Sequence, residues 1–307
     1  MPAGLSAMKL SERVTDALNE VRILILGAQI LLGFQFNAAF QPKFVRMAGY
    51  LQWLDVVALT LMLAAAGVLV APAPFHRLVE DGNDSAPLVR FATRAATLAL
   101  APFALCIGID AYIVVNPLLG QAAAIAGGGL LATLAGVFWY GIEVTKTKIE
   151  GPPPNDDERL RTSVEEKIKT MGTEIRVILP GAQALLGFQF SSMLSDGFDR
   201  LPGPAKAIHL ASLFCMAIAV ILLMSPAAYH RIAARGEDRQ EVDRFGTKAL
   251  LAALIPLGLG MTGDFYIVLG LVIDWHGIAI PAAALVLLGI LGLWFGYPLW
   301  VRRRRTT

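Results

Sequence analysis

A charge-poor segment, Glu20-Val-Arg-Ile-Leu-Ile-Leu-Gly-Ala-Gln-Ile-Leu-Leu-Gly-Phe-Gln-Phe36, returns as Glu174-Ile-Arg-Val-Ile-Leu-Pro-Gly-Ala-Gln-Ala-Leu-Leu-Gly-Phe-Gln-Phe190, displaced by 154 residues with 11 of 17 positions identical. The same ungapped shift pairs Pro72, His76 and Arg77 with Pro226, His230 and Arg231. It also pairs Arg90, Phe91 and Thr93 with Arg244, Phe245 and Thr247, and Asp110 and Tyr112 with Asp264 and Tyr266. A duplication on this scale requires a fold made of two copies of one unit. Polar residues are costly inside apolar segments, so those that still match there point to what the unit needs.

Composition fixes the solvent. The mean hydropathy is +0.60 and 56% of residues are apolar, against about 45–50% in soluble domains. Charged residues make up 16% and are bunched between long apolar runs, the pattern of a polytopic membrane protein. Cys106 and Cys215 both fall inside apolar runs and do not correspond under the shift, which argues against a disulfide or a CxxC metal or redox site. The four histidines are scattered, so neither a metal nor another cofactor is expected. With no phosphate loop, catalytic triad or HExxH motif, an enzyme is not expected either. Residues 11–20 are polar and lack the apolar core and small-residue cleavage site of a secretory signal, so the first apolar segment should be a retained span.

Charge-poor runs cover 23–40, 56–75, 95–120 with a lone Asp110, and 121–142; their counterparts cover 177–194, 207–229, 249–273 with a lone Asp264, and 277–301. Each is long enough to cross a hydrocarbon core of about 30 Å, which takes roughly 20 helical residues. The runs are continuously apolar and lack the alternation of barrel strands. The expected fold is therefore all-α and polytopic, with eight transmembrane helices. Four helices is an even number, so the two four-helix repeats should be parallel and related by a pseudo-twofold axis along the membrane normal, not inverted. The expected division is an N-terminal segment 1–20, a first repeat 21–142, a linker and amphipathic helix 143–173, a second repeat 174–301, and a basic tail 302–307. Within the linker, Gly151-Pro-Pro-Pro154 followed by Asn155-Asp-Asp-Glu158 reads as a short stiff spacer. With the N-terminus inside, 22 of the 26 lysines and arginines fall on the cytoplasmic side and only Lys43, Arg46, Arg200 and Lys206 on the other. Both termini are thus expected to be cytoplasmic.

Asp110 and Asp264 are the sharpest candidates for chemistry. Each lies about 15 residues into the third helix of its repeat, roughly 22 Å from the helix start at 1.5 Å per residue. An ionised carboxylate at that depth costs about 2.5–3.5 kcal/mol unless it is neutralised, paired or in contact with water. Gln35 and Gln189 lie about 14 residues into the first helices, at the same level. A carboxamide can donate to a carboxylate and accept from a carboxylic acid, so each Gln–Asp pair suits proton or monovalent-cation binding. It suits equally well a structural hydrogen bond between helices. Tyr112 and Tyr266 sit on another helix face, and Pro102 and Pro256 eight residues before the aspartates read as packing kinks.

Two further sets recur. Arg22, Gln29, Gly33 and Phe36 share one face of the first helix, as do Arg176, Gln183, Gly187 and Phe190 on the fifth; the glycine allows close approach and the glutamine is expected to bond across the seam. At the cytoplasmic boundary, Glu20, Arg22, His76, Arg77, Arg90 and Arg94 should lie at one level, with Glu174, Arg176, His230, Arg231, Arg244 and Lys248 as counterparts. Glu20 and Arg22 with the His-Arg pair could form an ion-pair ring, contact anionic lipid headgroups, form a pH-sensitive gate, or simply be solvated. The run 302–305 is a membrane-surface anchor, not a nucleic-acid patch, and Trp139, Tyr140, Trp294, Tyr297 and Trp300 are expected in the interfacial belt.

The segment Glu20-Val-Arg22 with Gly27-x-Gln29-x-Leu31-Leu32-Gly33-Phe34, followed by Pro72-x-x-Phe75-His76-Arg77, resembles a family of small bacterial membrane proteins, the domain of unknown function family 6328. Its members are typically one four-helix unit with a Leu-Arg-Val start, a Gly-Phe first helix and a Pro-x-x-Tyr-His-Arg end to the second. This chain resembles two such units fused, and the likeness covers nearly all of both halves. The resemblance implies a bacterial inner (plasma) membrane location. The family has no established activity, though some members bear the label sodium:proton antiporter. Phe34-Gln35-Phe36 departs from the family's usual apolar residues here and adds a polar side chain to each first helix. Two functions remain open: cation- or proton-coupled transport through the paired aspartates, or a scaffold, lipid-binding or stress-response module held together by them. Its partners would be the lipid bilayer and protons or monovalent cations, and the chain could be a monomeric pseudo-dimer or a homo-oligomer.

Overall fold

The computed structural model describes residues 3–146, 161–273 and 276–306, and every regular element among them is helical. The first repeat comprises α1 (Ala3–Ala38), a short α2 (Pro42–Val45), α3 (Gly49–Val70) continued by α4 (Pro72–Val79), α5 (Ala86–Leu119) and α6 (Gln121–Lys146). The second comprises α7 (Val164–Met193), a short α8 (Asp196–Asp199), α9 (Gly203–Ile232), α10 (Gln240–Val272) and α11 (His276–Leu291), which passes through a π-helical turn (Gly292–Gly296) into α12 (Tyr297–Thr306). Local chemistry sets several boundaries. Ser85 caps α5 by accepting from the Leu88 N–H, with Pro87 in the first turn. Ser163 and Glu166 form a capping box that starts α7. Gly120, at φ +85°, supplies the left-handed turn that ends α5 and leads directly into α6.

Among the described residues, seven helical stretches are long and apolar enough to cross a membrane, which marks the chain as a membrane-embedded protein. The fifth of the eight expected spans, 177–194, falls in α7 and is not among them. That helix has 30 residues, but Gln183, Gln189, Ser191 and Ser192 interrupt its apolar run. Helix α1 runs without a break from the polar N-terminal residues into the first span. Linker residues 147–160, including the proline run, lie outside the described residues.

Helices α1 and α7 pack against each other at the centre, flanked by α3 and α5 on one side and α9 and α10 on the other. A single apolar core passes through both repeats, with Ile25, Phe36 and Met62 from the first and Ile178, Leu185, Met216 and Leu257 from the second. Among apolar side chains in a bilayer, close van der Waals packing supplies the attraction. Helices α1 and α12 come together at one end of the bundle, where Val14, Leu18, Phe75 and Leu88 cluster with Val301.

The contact between α1 and α7 departs from a twofold arrangement. Gln29 is fully buried against Gly181, where any Cβ would collide with its amide, and Gly33 lies under the Phe188 ring. The mirror contacts are not made: Gln183 and Gly187 are exposed, and Gly27 faces Phe103. Half of the expected seam is therefore corrected. The α7 residues turned inward are Ile178, Ala182, Leu185, Gln189 and Ser192, because Gln189 bonds to α10, which carries Gln183 to the opposite face. The expected bond from Gln29 across the seam is also not formed, since neither end of its amide has a hydrogen-bond partner among the described residues.

The two fourth helices differ as well. Helix α6 packs along α5, and Tyr140 donates to the Thr97 carbonyl of its own repeat at 3.1 Å. Helix α11 packs on α10 of its own repeat, but the π-helical turn and α12 that follow it reach α3 and α4 of the first repeat. Trp294, the counterpart of Tyr140 under the shift, is fully buried and donates to the Gly67 carbonyl at 2.8 Å, so it is not a belt residue. Further along, Tyr297 stacks with Phe75, and Arg305 pairs with Glu80 at 2.8 Å.

Candidate functional site

The matched polar residues occupy two levels of the bundle. The first is an ion cluster at the end where α1 and α12 come together. Helix α4 begins at Pro72 and brings His76 and Arg77 inward, where both are buried. His76 Nδ1 lies 2.5 Å from Glu174 Oε1, and Arg77 Nε donates to Glu174 Oε2 at 2.6 Å. Arg77 also donates through Nη1 to Asp243 at 3.0 Å and through Nη2 to the Lys167 carbonyl at 3.3 Å. The turn that follows folds back onto this guanidinium at Gly82, whose φ of +74° requires glycine. Burial alone would raise the Glu174 carboxyl, but Arg77 and His76 outweigh it and hold the group below the ordinary glutamate range. In the neighbouring loop, burial raises the Asp84 carboxyl, opposed by His76 and a hydrogen bond from Ser11.

This geometry corrects the expected ring. His76 and Arg77 bind Glu174 of the other repeat, not Glu20 of their own, and one carboxylate thereby ties α4 to α7 and α10. The counterpart residues are less enclosed: Glu20, Arg176 and Arg231 are exposed, and Arg22 is half-buried. His230 turns to Asp238 of its own repeat at 3.2 Å, with both side chains partly solvated.

The second level holds the Gln–Asp pairs. Gln35 Nε2 donates to Asp110 at 3.2 and 3.3 Å, and to the Cys106 sulfur at 2.7 Å. The Cys106 thiol is 3.5 Å from Asp110 Oδ2, one helical turn away on the same helix. Gln189 Nε2 donates to both oxygens of Asp264 at 2.9 and 2.7 Å. All four residues therefore pair as their depth suggested, but their surroundings differ. Asp264 is 6% exposed and faces a small cavity lined by Leu32, Phe36, Leu59, Leu63, Leu185, Met261 and Phe265. Asp110 is only half-buried. No basic side chain among the described residues pairs with either aspartate.

Two buried titratable residues at this level were missed by the sequence reading. Asp55 on α3 is 6% exposed and within electrostatic reach of Asp110. His209 on α9 is fully buried, its Nε2 lies 3.0 Å from the Gln189 carbonyl, and its ring packs against Phe36, Phe40 and Phe198. The 154-residue shift pairs the two residues, which is the signal that could have found them. A polar patch beyond Asp110 links the same helices: Tyr50 of α3 donates to Asn116 of α5 at 2.9 Å, and Asn116 donates to Tyr112 at 3.3 Å. Among the described residues, no group of three or more histidine, cysteine, aspartate or glutamate side chains is placed to hold a metal ion.

A helical membrane-embedded protein with unmatched carboxylates between its helices is the class these features define. The model of a family of unknown function, DUF6328, matches residues 6–143 and again 157–298. The chain therefore belongs to this family as a tandem duplication of its domain. No curated protein and no solved structure matches it.

Proposed function

We propose that this chain is an eight-span, proton- or cation-coupled transport protein whose working site lies in the first repeat, at Asp110 with Gln35. One observation carries the reading. Asp110 is a half-buried carboxylate inside a candidate span, held by the neutral Gln35 amide and Cys106 thiol and by no basic side chain among the described residues. A carboxylate in low-dielectric surroundings without a counter-charge must acquire a proton or a cation, and partial access lets it exchange that ion. Asp264 has the same amide partner but is enclosed by apolar side chains, so its role is to hold α7 to α10. In this reading α7 supplies the eighth crossing, and its Gln189 and Ser192 are tolerated because they face the bundle interior. Both termini lie on the cytoplasmic side, as the bias of basic residues implies, and the resemblance to the family points to a bacterial inner membrane. The test is proton- and sodium-driven flux in proteoliposomes, with Asp110→Asn combined with Asp264→Asn as the disabled control. Loss of flux in that folded variant is expected, and unchanged flux would end the proposal.

The enclosed pair and the buried ion cluster favour a second reading, a non-transporting module whose polar residues hold the bundle together. It predicts that the same double substitution lowers stability while wild-type protein shows no coupled flux at all.

A further inference from the structure

Three side chains with oxygen acceptors, the buried Gln35 and Asp55 and the half-buried Asp110, come from the mutually packed helices α1, α3 and α5. Tyr50 and Asn116 fix the register of α3 against α5 through their 2.9 Å hydrogen bond. Asp55 lies five residues beyond Tyr50, and Asp110 six residues before Asn116, on helices that run in opposite directions. At 1.5 Å per residue those offsets are about 7.5 and about 9 Å, so the two aspartates stand at one level of the bundle. Asp55 Oδ2 is buried and has no hydrogen-bond partner among the described residues. Gln35 spends its amide nitrogen on Asp110 and Cys106, while its Oε1 is also buried and unpartnered. The carboxylate of Asp110 completes the set.

We infer that Asp55, Asp110 and the Gln35 side-chain carbonyl form a binding site for one small hard monovalent cation, and that the first repeat alone has it. This deepens the transport reading above, on which it rests for its biological use. Oxygen-only donors select hard ions over transition metals. Calcium takes six to eight oxygens and magnesium keeps several waters, more than three side chains among apolar neighbours supply. The second repeat has lost the arrangement. His209 stands where Asp55 stands in the first, with its Nε2 turned to the Gln189 backbone carbonyl. One carboxylate and no second anionic donor remain there.

Equilibrium binding of radioactive sodium to the purified full chain tests the site without requiring transport. Wild-type protein should bind sodium saturably, and Asp55→Asn and Asp110→Asn should each weaken binding roughly tenfold or more, since each removes one of the two anionic donors. Asp264→Asn should leave sodium affinity unchanged, and Asp55→Glu should recover part of what Asp55→Asn loses, which separates a lost ligand from a misfolded chain. Wild-type affinity in a folded Asp55→Asn variant overturns the inference, as does displacement of sodium by calcium at equal or lower concentration. A chain that binds sodium in this pattern but moves no ion keeps the inference and loses the transport reading. Flux without sodium binding does the reverse.

Discussion

Replacing Glu174 by glutamine removes the charge that joins the two repeats at their shared end. The side chain is fully buried and holds His76 at 2.5 Å and Arg77 at 2.6 Å. Removing one partner of a buried ion pair costs about 3–5 kcal/mol, because the surviving charge stays buried. Here Arg77 would keep Asp243 at 3.0 Å and the Lys167 carbonyl at 3.3 Å, which places Glu174→Gln near the lower end, at about 3 kcal/mol. The chain carries its own control in the His230–Asp238 pair, whose side chains are 32% and 39% exposed. There Asp238→Asn should cost less than about 1 kcal/mol. Reversible unfolding in mixed micelles with increasing sodium dodecyl sulfate would measure both, and a double-mutant cycle with Arg77→Met would isolate the coupling. The pH dependence has a definite sign. The Glu174 carboxyl lies below its unfolded value, so its contribution is complete above about pH 4.3 and is lost as pH falls through the folded value. Glu174→Gln should therefore remove part of the acid sensitivity. A cost no larger than that of Asp238→Asn would refute this reasoning.

Four other outcomes follow. Asp84 is raised by burial, so its folded form favours the proton and stability is lost as pH rises from about 3.9 through the folded value; Asp84→Asn should flatten that limb in unfolding measured between pH 4 and pH 8, limits that bracket roughly the titration range of a raised carboxyl. Gly181→Leu should cost about 1–3 kcal/mol by driving Gln29 and α1 away from α7, whereas Gly187→Leu, which meets open space, should be nearly neutral in the same assay. Gln189→Ala leaves both oxygens of the enclosed Asp264 without their donor and should cost about 1–3 kcal/mol. Gln35→Ala should cost less, because Asp110 is half-buried and retains the Cys106 thiol.

Much of this structure can be read from the chain, for identifiable reasons. The duplication is visible because unlike residues such as Glu, Arg, Gln and Gly recur at fixed spacing inside apolar runs, and the double family match bears it out. Helix depth suffices to place Gln35 beside Asp110 and Gln189 beside Asp264, since 1.5 Å per residue makes level a matter of counting. Counting does not reveal which face a helix presents. A bond from Gln189 to α10 sets the rotation of α7, and Gln183 and Gly187 turn outward as a result. Nor does it reveal which repeat a side chain reaches. Glu20 and Glu174 are the same residue in the two copies, yet only Glu174 receives His76 and Arg77. Asp55 went unnoticed because it sits one residue before an apolar run, where a charge normally marks a solvated helix end.

The division of labour between the repeats is tested most directly by coupled flux in proteoliposomes containing Asp110→Asn or Asp264→Asn singly, normalised to folded protein. Asp110→Asn is expected to abolish flux with little loss of stability. Asp264→Asn should retain flux per folded molecule while unfolding more easily. If Asp264→Asn abolished flux in a stable protein, or Asp110→Asn left it intact, one working site in the first repeat would be contradicted.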